Sequence, residues 1–226
     1  MPEKAQLHDF IELDYTGKLE NGVVFDTTQE QAAKKSNIFS AKIKYSPLII
    51  CLGEKQLLPG LDSALSGAEI GMVHEIILAP ESAFGKRDIK KMRVVPMATF
   101  IEHKVNPQPG LEIDVDGERG IVSSISGGRV IVNFNHPLAG RKVIYTVKII
   151  RKITDLKEQV AAYLAATFRI PEDKFKIAAS EGKKVEVELP VQFPPQIIEL
   201  IDKKLLELTS AEKIEFKAAK TELKSN

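Results

Sequence analysis

The sequence predicts an α+β protein in which an antiparallel sheet with one short helix is interrupted by a small, mainly β unit and followed by a further α+β module. Three observations predict this fold. Strand signals dominate the first half of the 226 residues, a compositionally different stretch then intervenes before strand-like sequence returns, and helical periodicity begins after it. The predicted boundaries are 1–85 with 136–153 for the interrupted sheet domain, 86–135 for the inserted domain and 154–226 for the C-terminal domain.

The first two predicted strands form a hairpin. Residues 10–15 alternate apolar and polar side chains, as in a strand with one buried face. Turn residues follow at Thr16-Gly17 and again at 20–22, and residues 23–25 supply the returning strand. The later elements of this domain are a short surface helix or loop at 27–35, a buried strand at 48–52, a helix at 59–67 that buries Leu61, Ala64 and Leu65, and strands at 72–79 and 142–153.

The insertion begins with a cluster of basic residues at 86–93. We interpret this cluster as a solvated linker or, alternatively, as a local patch that binds an anion or a partner. A short helix at 97–102 and three short β runs separated by glycine-containing turns complete a small β unit.

The C-terminal segment changes character at Thr154, which can cap the first turn of an amphipathic helix. Strands are expected at 175–179, 184–189 and 214–218. A second helix is expected at 195–208, with one apolar face formed by Ile197, Ile198, Ile201, Leu205 and Leu208. This face is expected either to complete the core of its own module or to pack against a second copy of the chain, which would form a homodimer.

Composition limits the classes of binding partner and the cellular compartment that we expect for this protein. The chain has 32 Lys+Arg against 31 Asp+Glu and a net charge of +1, which disfavours nucleic acid as a partner because such proteins usually carry a basic excess. No apolar run approaches the roughly 18 residues of a membrane span, so no membrane association is expected. The single cysteine, Cys51, and the absence of a leader-like segment indicate a cytoplasmic protein.

The usual signatures of enzymes that use nucleophiles, metals or nucleotides are missing. The sequence has no phosphate-binding GxxxxGK[ST], no HExxH, no GxSxG and no CxxC, and its four histidines are scattered. We therefore expect no metal and no cofactor. His74 and Cys51 are interpreted as packed strand residues.

Apolar and aromatic motifs remain, and in their order they resemble a known family. Tyr15-Thr16-Gly17 and Phe25-Asp26 resemble the first hairpin of FKBP-type peptidyl-prolyl cis-trans isomerases. Four later segments are similar to the later blocks of that family: Leu52-Gly53, Leu58-Pro59-Gly60-Leu61, Ala83-Phe84-Gly85 and the strand at 145–149. The segment 133–140 resembles the SlyD-like and long archaeal branch, in which a chaperone-like domain is inserted in the flap. The resemblance covers roughly residues 6–153, and 154–226 resembles the extra domain of the longest members by position and length.

The resemblance implies a half-barrel sheet wrapped on a short helix, with a pocket that receives a substrate proline. It assigns catalytic positions to Tyr15, Phe25, Asp26, Phe84 and Tyr145. It assigns substrate-binding positions to Leu48, Leu57, Leu58, Leu61 and Leu138. Leu61 replaces a tryptophan that many members carry, and Phe84 replaces a tyrosine whose hydroxyl is expected to contact a bound carbonyl.

The implied function is isomerisation of Xaa-Pro bonds in unfolded or partly folded proteins, with chaperone activity from the inserted domain. An alternative is a holdase chaperone or scaffold of the same fold with weak or no catalysis, since Leu61 and Phe84 depart from the family pattern. The implied partners are unfolded or proline-containing polypeptides, with a macrolide as a further candidate ligand of the pocket. Nucleic acid or ribosome binding through 86–93 is a third interpretation, which predicts a steep dependence on salt.

Overall fold

The computed structural model describes residues 2–115, 117–180, 183–191 and 193–218. Two compact units divide the chain, one formed by Met1–Ile77 with Ile144–Asn226 and the other by Leu78–Val143. The strands and helices are, in chain order, β1 (Phe10–Leu19), β2 (Val24–Thr27), α1 (Glu30–Lys35), β3 (Leu48–Cys51), α2 (Pro59–Leu65), β4 (Val73–Leu78), β5 (Met92–Pro96), α3 (Met97–Glu102), β6 (Glu112–Val115), β7 (Glu118–Ser126), β8 (Arg129–Asn133), β9 (Val143–Lys152), α4 (Leu156–Phe168), β10 (Lys176–Ser180), β11 (Lys184–Leu189), α5 (Pro195–Leu208) and β12 (Lys213–Ala218).

The long strand β1 organises the sheet of the first unit. Strand order is β2-β1-β9-β4, and β3 pairs with the N-terminal half of β1. Both β2 and β3 run antiparallel to β1. Because side chains alternate along a strand, Ile11, Leu13 and Tyr15 share one face of β1 and Phe10 lies on the other. The two faces of this strand therefore serve two different cores.

Two local expectations for this unit are wrong. The predicted turn at Thr16-Gly17 is not a turn, because β1 continues through it with an irregularity in its pairing between Gly17 and Lys18. The chain reverses only at 20–22, where Gly22 has a φ of 85°. In α2, Ala64 is exposed, whereas Leu61 and Leu65 are buried one helical turn apart.

The second unit is a small antiparallel β domain. Its four strands lie in the order β5-β8-β7-β6. The sequence predicted only three β runs, and the additional strand is β5, residues 92–96, which pairs with β8. The core under α3 consists of Phe100, Val122, Val130, Val132 and Phe134. The basic cluster is not a solvated linker throughout: Arg93 lies in β5, where it forms an ion pair of 2.7 Å with Glu118 and stacks over the ring of Phe134.

The C-terminal module combines the three-stranded sheet β10-β11-β12 with α4 and α5. Asp155, rather than Thr154, caps α4, because its carboxylate accepts a hydrogen bond from the N–H of Glu158. Ile197 is 44% exposed, so it does not belong to the buried face of α5. Residues 219–226 of the predicted C-terminal domain lie outside the described residues.

The core of the C-terminal module is continuous with one face of the first sheet. Phe10 of β1 and Cys51 of β3 belong to the same buried cluster as Val160 and Leu164 of α4 and Leu205 of α5. Cys51 is thus a packed strand residue, as predicted, and burial raises the pKa of its thiol to about 12. Among the described residues, no helix has the length and apolar character needed to cross a membrane.

Candidate active site

The hairpin of β1 and β2 and the neighbouring strand β9 bring together four of the residues that the resemblance assigns to catalysis. The hydroxyl of Tyr15 donates a 2.8 Å hydrogen bond to Oδ2 of Asp26. Tyr145 of β9 lies against both neighbouring rings: its centroid is 5.8 Å from that of Tyr15 at a tilt of 54°, and 5.8 Å from that of Phe25, edge to face. This is an apolar aromatic cluster with one carboxylate, and we call these four residues the aromatic site.

Gly17 makes this arrangement possible, although its sequence pattern indicated only a turn. A Cβ at this position would lie 2.8 Å from Cε1 of Tyr145 and 2.9 Å from Cζ of Phe25. Both distances are far shorter than a van der Waals contact, so the two rings can pack against β1 only because Gly17 has no side chain. The sequence signal that could have indicated this is the position of the glycine two residues after Tyr15, on the same strand face.

Gly17→Ala is expected to reduce kcat/KM for a proline peptide by about tenfold, and to lower the free energy of unfolding by about 1 to 3 kcal/mol, because the added methyl group displaces the rings. Gly22→Ala is the matched control. Nothing lies within 4 Å of its Cβ and its φ is 85°, so backbone strain should destabilise the hairpin without moving the rings. Equal catalytic losses in both variants, compared at equal folded fraction, would contradict a role of Gly17 in the site.

Two threonines that directly follow Asp26 form hydrogen bonds with the backbone of β1. Thr27 is buried, and its hydroxyl donates to the carbonyl of Tyr15 at 2.9 Å. The hydroxyl of Thr28 accepts from the N–H of Tyr15 at 3.0 Å and lies 2.7 Å from Oδ1 of Asp14, to which it donates. These bonds connect the two strands next to Tyr15 and Asp26. They fix the direction from which the Asp26 carboxylate approaches the Tyr15 hydroxyl.

Both tyrosine hydroxyls in the site remain protonated. Burial raises the pKa of Tyr15, and the negative charge of Asp26 and the hydrogen bond to it raise that pKa further. Burial, followed by the charge of Asp26, raises the pKa of Tyr145. Tyr15 therefore acts as a donor that orients the carboxylate. The geometry suits positioning of a peptide rather than proton transfer.

A loop between β3 and α2, residues 52–58, presents two of the leucines assigned to substrate binding, and we call it the pocket loop. Leu57 and Leu58 are half-buried there. The N–H of Cys51 donates to Oε1 of Gln56 at 2.8 Å, and the N–H of Gly53 donates to Oδ1 of Asp62 at 2.9 Å. Side chains thus anchor both ends of the loop.

The two other predicted leucines of this unit differ in burial. Leu61, in the first turn of α2, is 3% exposed. Leu48 of β3 pairs with Leu13, which places it on the face of the sheet that carries Tyr15, and it is 37% exposed. Leu48 also lines a cavity of about 420 Å³ that Tyr163 and Arg169 of the C-terminal module close on another side.

The second unit holds Phe84 and Leu138, and it adds a residue that sequence analysis left without a role. The ring of Phe84 stacks on that of His136, with centroids 4.6 Å apart and an angle of 2° between the planes. Nδ1 of His136 accepts a hydrogen bond from the N–H of Leu138 at 3.1 Å. The histidine therefore links the two predicted pocket residues of this unit. Among the described residues, no three His, Cys, Asp or Glu side chains are grouped in a way that could hold a metal ion.

The comparisons with known proteins agree with the resemblance. Residues 1–102 match the family described as FKBP-type peptidyl-prolyl cis-trans isomerase, and residues 93–138 match the family described as FKBP26, IF domain. Residues 1–102 therefore form an FKBP-type peptidyl-prolyl cis-trans isomerase domain. The predicted family, its α+β fold with an antiparallel half-barrel sheet, and its enzyme class are thereby confirmed.

Relatives of this isomerase are of several sizes. It is 29% identical over 141 residues to the short-type peptidyl-prolyl cis-trans isomerase of Methanocaldococcus jannaschii, an overlap of 62% of this chain and 89% of the relative. It is 30% identical over 141 residues to the FKBP-type isomerase SlyD of Aeromonas hydrophila, covering 62% of this chain and 60% of SlyD. With the FKBP-type 16 kDa isomerase of Escherichia coli it shares 26% identity over 155 residues, covering 66% of this chain and 95% of the relative.

Proposed function

We propose that this isomerase is a foldase that acts on Xaa-Pro bonds of unfolded or partly folded proteins at the aromatic site. The observation that carries the proposal is the packing of Tyr15, Phe25 and Tyr145 around a single oriented carboxylate, Asp26. Polypeptides are the substrates of the family. Leu48 and the leucines of the pocket loop and α2 are proposed to complete the surface that receives proline. Phe84 is proposed to act in catalysis and Leu138 in substrate binding, as the resemblance implies.

The chemistry needs no nucleophile and no proton transfer. The barrier of about 18 to 20 kcal/mol to rotation about a peptide bond arises from amide resonance. A twisted amide is less dipolar than a planar one, so apolar surroundings stabilise the transition state more than the ground state. Lowering the barrier by about 4 kcal/mol would accelerate rotation roughly a thousandfold. The rings hold the proline, and Asp26, oriented by Tyr15, fixes the adjoining peptide.

The test is an exchange measurement by NMR on short peptides that differ in the residue before proline. The full chain is expected to accelerate cis-trans exchange, with higher kcat/KM where an apolar residue precedes proline, because the proposed lining is apolar. No acceleration for any peptide by correctly folded protein would contradict catalysis at this site. Catalysis without dependence on the preceding residue would contradict the proposed lining.

The rate is expected to be nearly constant between about pH 7 and about pH 9. Tyrosine usually titrates near pH 10, and the pKa values of Tyr15 and Tyr145 are raised further, so neither hydroxyl loses its proton in this range. The same exchange measurement in buffers across the range checks this. A fall in kcat toward pH 9 would show that a site hydroxyl ionises there and would contradict its role as a constant donor.

The inserted unit is proposed to capture unfolded segments before isomerisation. A cavity of about 340 Å³ opens beside α3, lined by Val95, Thr99, Phe100, His103, Val105, Ile113, Asp114 and Val115. Exposed apolar side chains occur in the same unit at Ile89, Val94 and Ile101. An apolar cleft with few polar groups suits segments of varied sequence, because apolar contacts are non-directional.

Three further predictions, about a ligand, the oligomeric state and the cellular location, remain proposals. A macrolide is proposed to bind the aromatic site, and inhibition of peptide isomerisation tests this. A homodimer through the C-terminal module is also proposed, although Ile201, Leu205 and Leu208 already fill the core of their own module. Sedimentation of the full chain tests it. A cytoplasmic location is proposed because Cys51 is a buried free thiol, and cell fractionation tests it.

A further inference from the structure

Backbone hydrogen bonds hold the start of the pocket loop, where the N–H of Leu52 donates to the carbonyl of Asp9 and the N–H of His8 donates to the carbonyl of Leu52, both at 3.0 Å. Two hydrogen bonds to side chains also anchor the loop, one from the N–H of Cys51 to Gln56 and one from the N–H of Gly53 to Asp62. The backbone is left-handed at Gly53 and Lys55, with φ of 90° and 56°. A loop is held in one position by the contacts that its residues make with the rest of the protein. A restraint from outside the loop would therefore affect where Leu57 and Leu58 lie.

Such a restraint comes from the C-terminal module. Glu54, in the middle of the pocket loop, has a side chain that is only 11% exposed, and Nζ of Lys204 in α5 lies 3.0 Å from its Oε1. Nδ1 of His8 lies 3.6 Å from the same oxygen. The hydrogen bond to Glu54 raises the pKa of Lys204, so the ammonium remains charged at neutral pH.

Lys204 is itself held in place. Leu205, the next residue in sequence, is 0% exposed, and Ile201, one turn earlier, is 3% exposed. Both belong to the core that includes Phe10 and Cys51 of the isomerase sheet. Helix α5 is therefore fixed relative to β1 and β3 by a continuous apolar core. The ammonium of Lys204 is therefore a fixed partner for the carboxylate of Glu54.

The loop is not closely packed on the side of α4. A cavity of about 420 Å³ separates Glu54, Lys55 and Gln56 from Tyr163, Thr167 and Arg169. Close packing normally limits movement inside proteins, and it is missing on this side. The ion pair with Lys204 connects the loop to α5, whereas the side of the loop that faces α4 borders this cavity.

We propose that Lys204 is a positioning residue of the isomerase: through Glu54 it fixes the pocket loop in the position that presents Leu57 and Leu58 to the substrate. The inference rests on the proposed function, because it concerns the same pocket. It gives the C-terminal module a part in substrate binding. We assign Leu57 and Leu58 to holding the substrate, which they do alike in the ground and transition states, and the rate acceleration to the aromatic site. Loss of the pocket-loop contacts should therefore appear in KM rather than in kcat.

The experiment measures kcat and KM for a proline peptide with the full chain and its variants Lys204→Ala and Glu54→Ala. Each single variant is expected to raise KM about fivefold with kcat nearly unchanged. The double variant should show no further increase, since both changes remove the same interaction. Lys204→Arg, which keeps the charge and the reach, should recover most of the affinity.

Arg151→Ala is the matched control for stability. Nε of Arg151 lies 2.6 Å from Glu12 and its Nη2 lies 2.9 Å from Glu158, so it also ties the C-terminal module to the sheet but does not contact the pocket loop. This variant is expected to lower the melting temperature without changing KM. If Lys204→Ala and Arg151→Ala change KM equally at equal folded fraction, the module only stabilises the protein and the inference is wrong.

The outcomes separate the two proposals. An inactive wild-type chain that is correctly folded would contradict the proposed function, and this inference with it. An active wild-type chain whose KM is the same in Lys204→Ala would contradict the inference alone. Additive increases of KM in the double variant would likewise overturn it, because they would show that Lys204 does not act through Glu54.

Discussion

Asp26→Ala is expected to reduce kcat/KM for an apolar Xaa-Pro peptide by about ten- to hundredfold, the size of effect found when one preorganised polar group of an active site is removed. The variant removes the charged group of the aromatic site. It also leaves the half-buried hydroxyl of Tyr15 without its 2.8 Å acceptor, so that hydroxyl must find another partner or remain unsatisfied. Peptide exchange by NMR, with kcat and KM separated, measures the loss.

Three further variants show which property of Asp26 matters. Asp26→Asn keeps the acceptor oxygen but not the charge, so recovery of activity would assign the effect to the hydrogen bond with Tyr15. Tyr15→Phe removes the donor and keeps the charge, and a smaller loss is expected because the carboxylate remains. Glu75→Ala, at an exposed carboxylate of β4 in the same unit, is the control and should be fully active.

Activity of Asp26→Ala equal to that of Glu75→Ala would show that the site works by apolar enclosure alone, and it would remove Asp26 from the mechanism. A loss confined to thermal stability would have the same meaning. The aromatic rings would then be the only catalytic contribution of the hairpin.

Local sequence patterns predicted most elements because each pattern reports burial at its own spacing. Alternation marked β1, and the spacing of Leu61 and Leu65 marked α2. Glycine was misinterpreted at position 17 because the residue serves two purposes: it permits turns, and it leaves room for close packing. Only the position of the rings of Phe25 and Tyr145 shows which of the two purposes Gly17 serves, and that position is set by strands distant in sequence.

The site shows the same limit. The resemblance indicated Tyr15, Phe25, Asp26 and Tyr145, and these four residues are in contact. It could not indicate the ion pair of Glu54 with Lys204, because 150 residues separate them in the chain and no short motif records a contact between modules. The shared core of Phe10 and Cys51 with α4 and α5 was hidden for the same reason: each residue has the pattern of an ordinary buried strand.

Removal of residues 89–134 is expected to leave peptide isomerisation largely intact and to reduce acceleration of a proline-limited refolding reaction by about ten- to hundredfold. A binding surface on the same chain as a catalytic site raises the local concentration of the substrate, and its loss returns the reaction to free encounter. Suppression of aggregation should be lost as well. Refolding of an unfolded client and light scattering measure the two effects.

The structure shows where the chain can be shortened. Asn135, which is 8% exposed, accepts from the N–H of Asp88 at 2.8 Å through Oδ1 and donates to the carbonyl of Asp88 at 3.0 Å through Nδ2. The two ends of the removed segment therefore lie side by side, and a short glycine-containing turn can join them. Phe84 and Leu138 are retained.

Point variants test the client surface without deletion. Ile89→Ser and Ile101→Ser change side chains that are 85% and 68% exposed in the inserted unit, and Ile77→Ser changes a comparably exposed isoleucine, 66%, of the first unit. The first two together should weaken client refolding and holdase activity with little change in stability, since exposed positions contribute little to folding. Equal effects of Ile77→Ser, or full chaperone activity after the deletion, would place client capture outside the inserted unit.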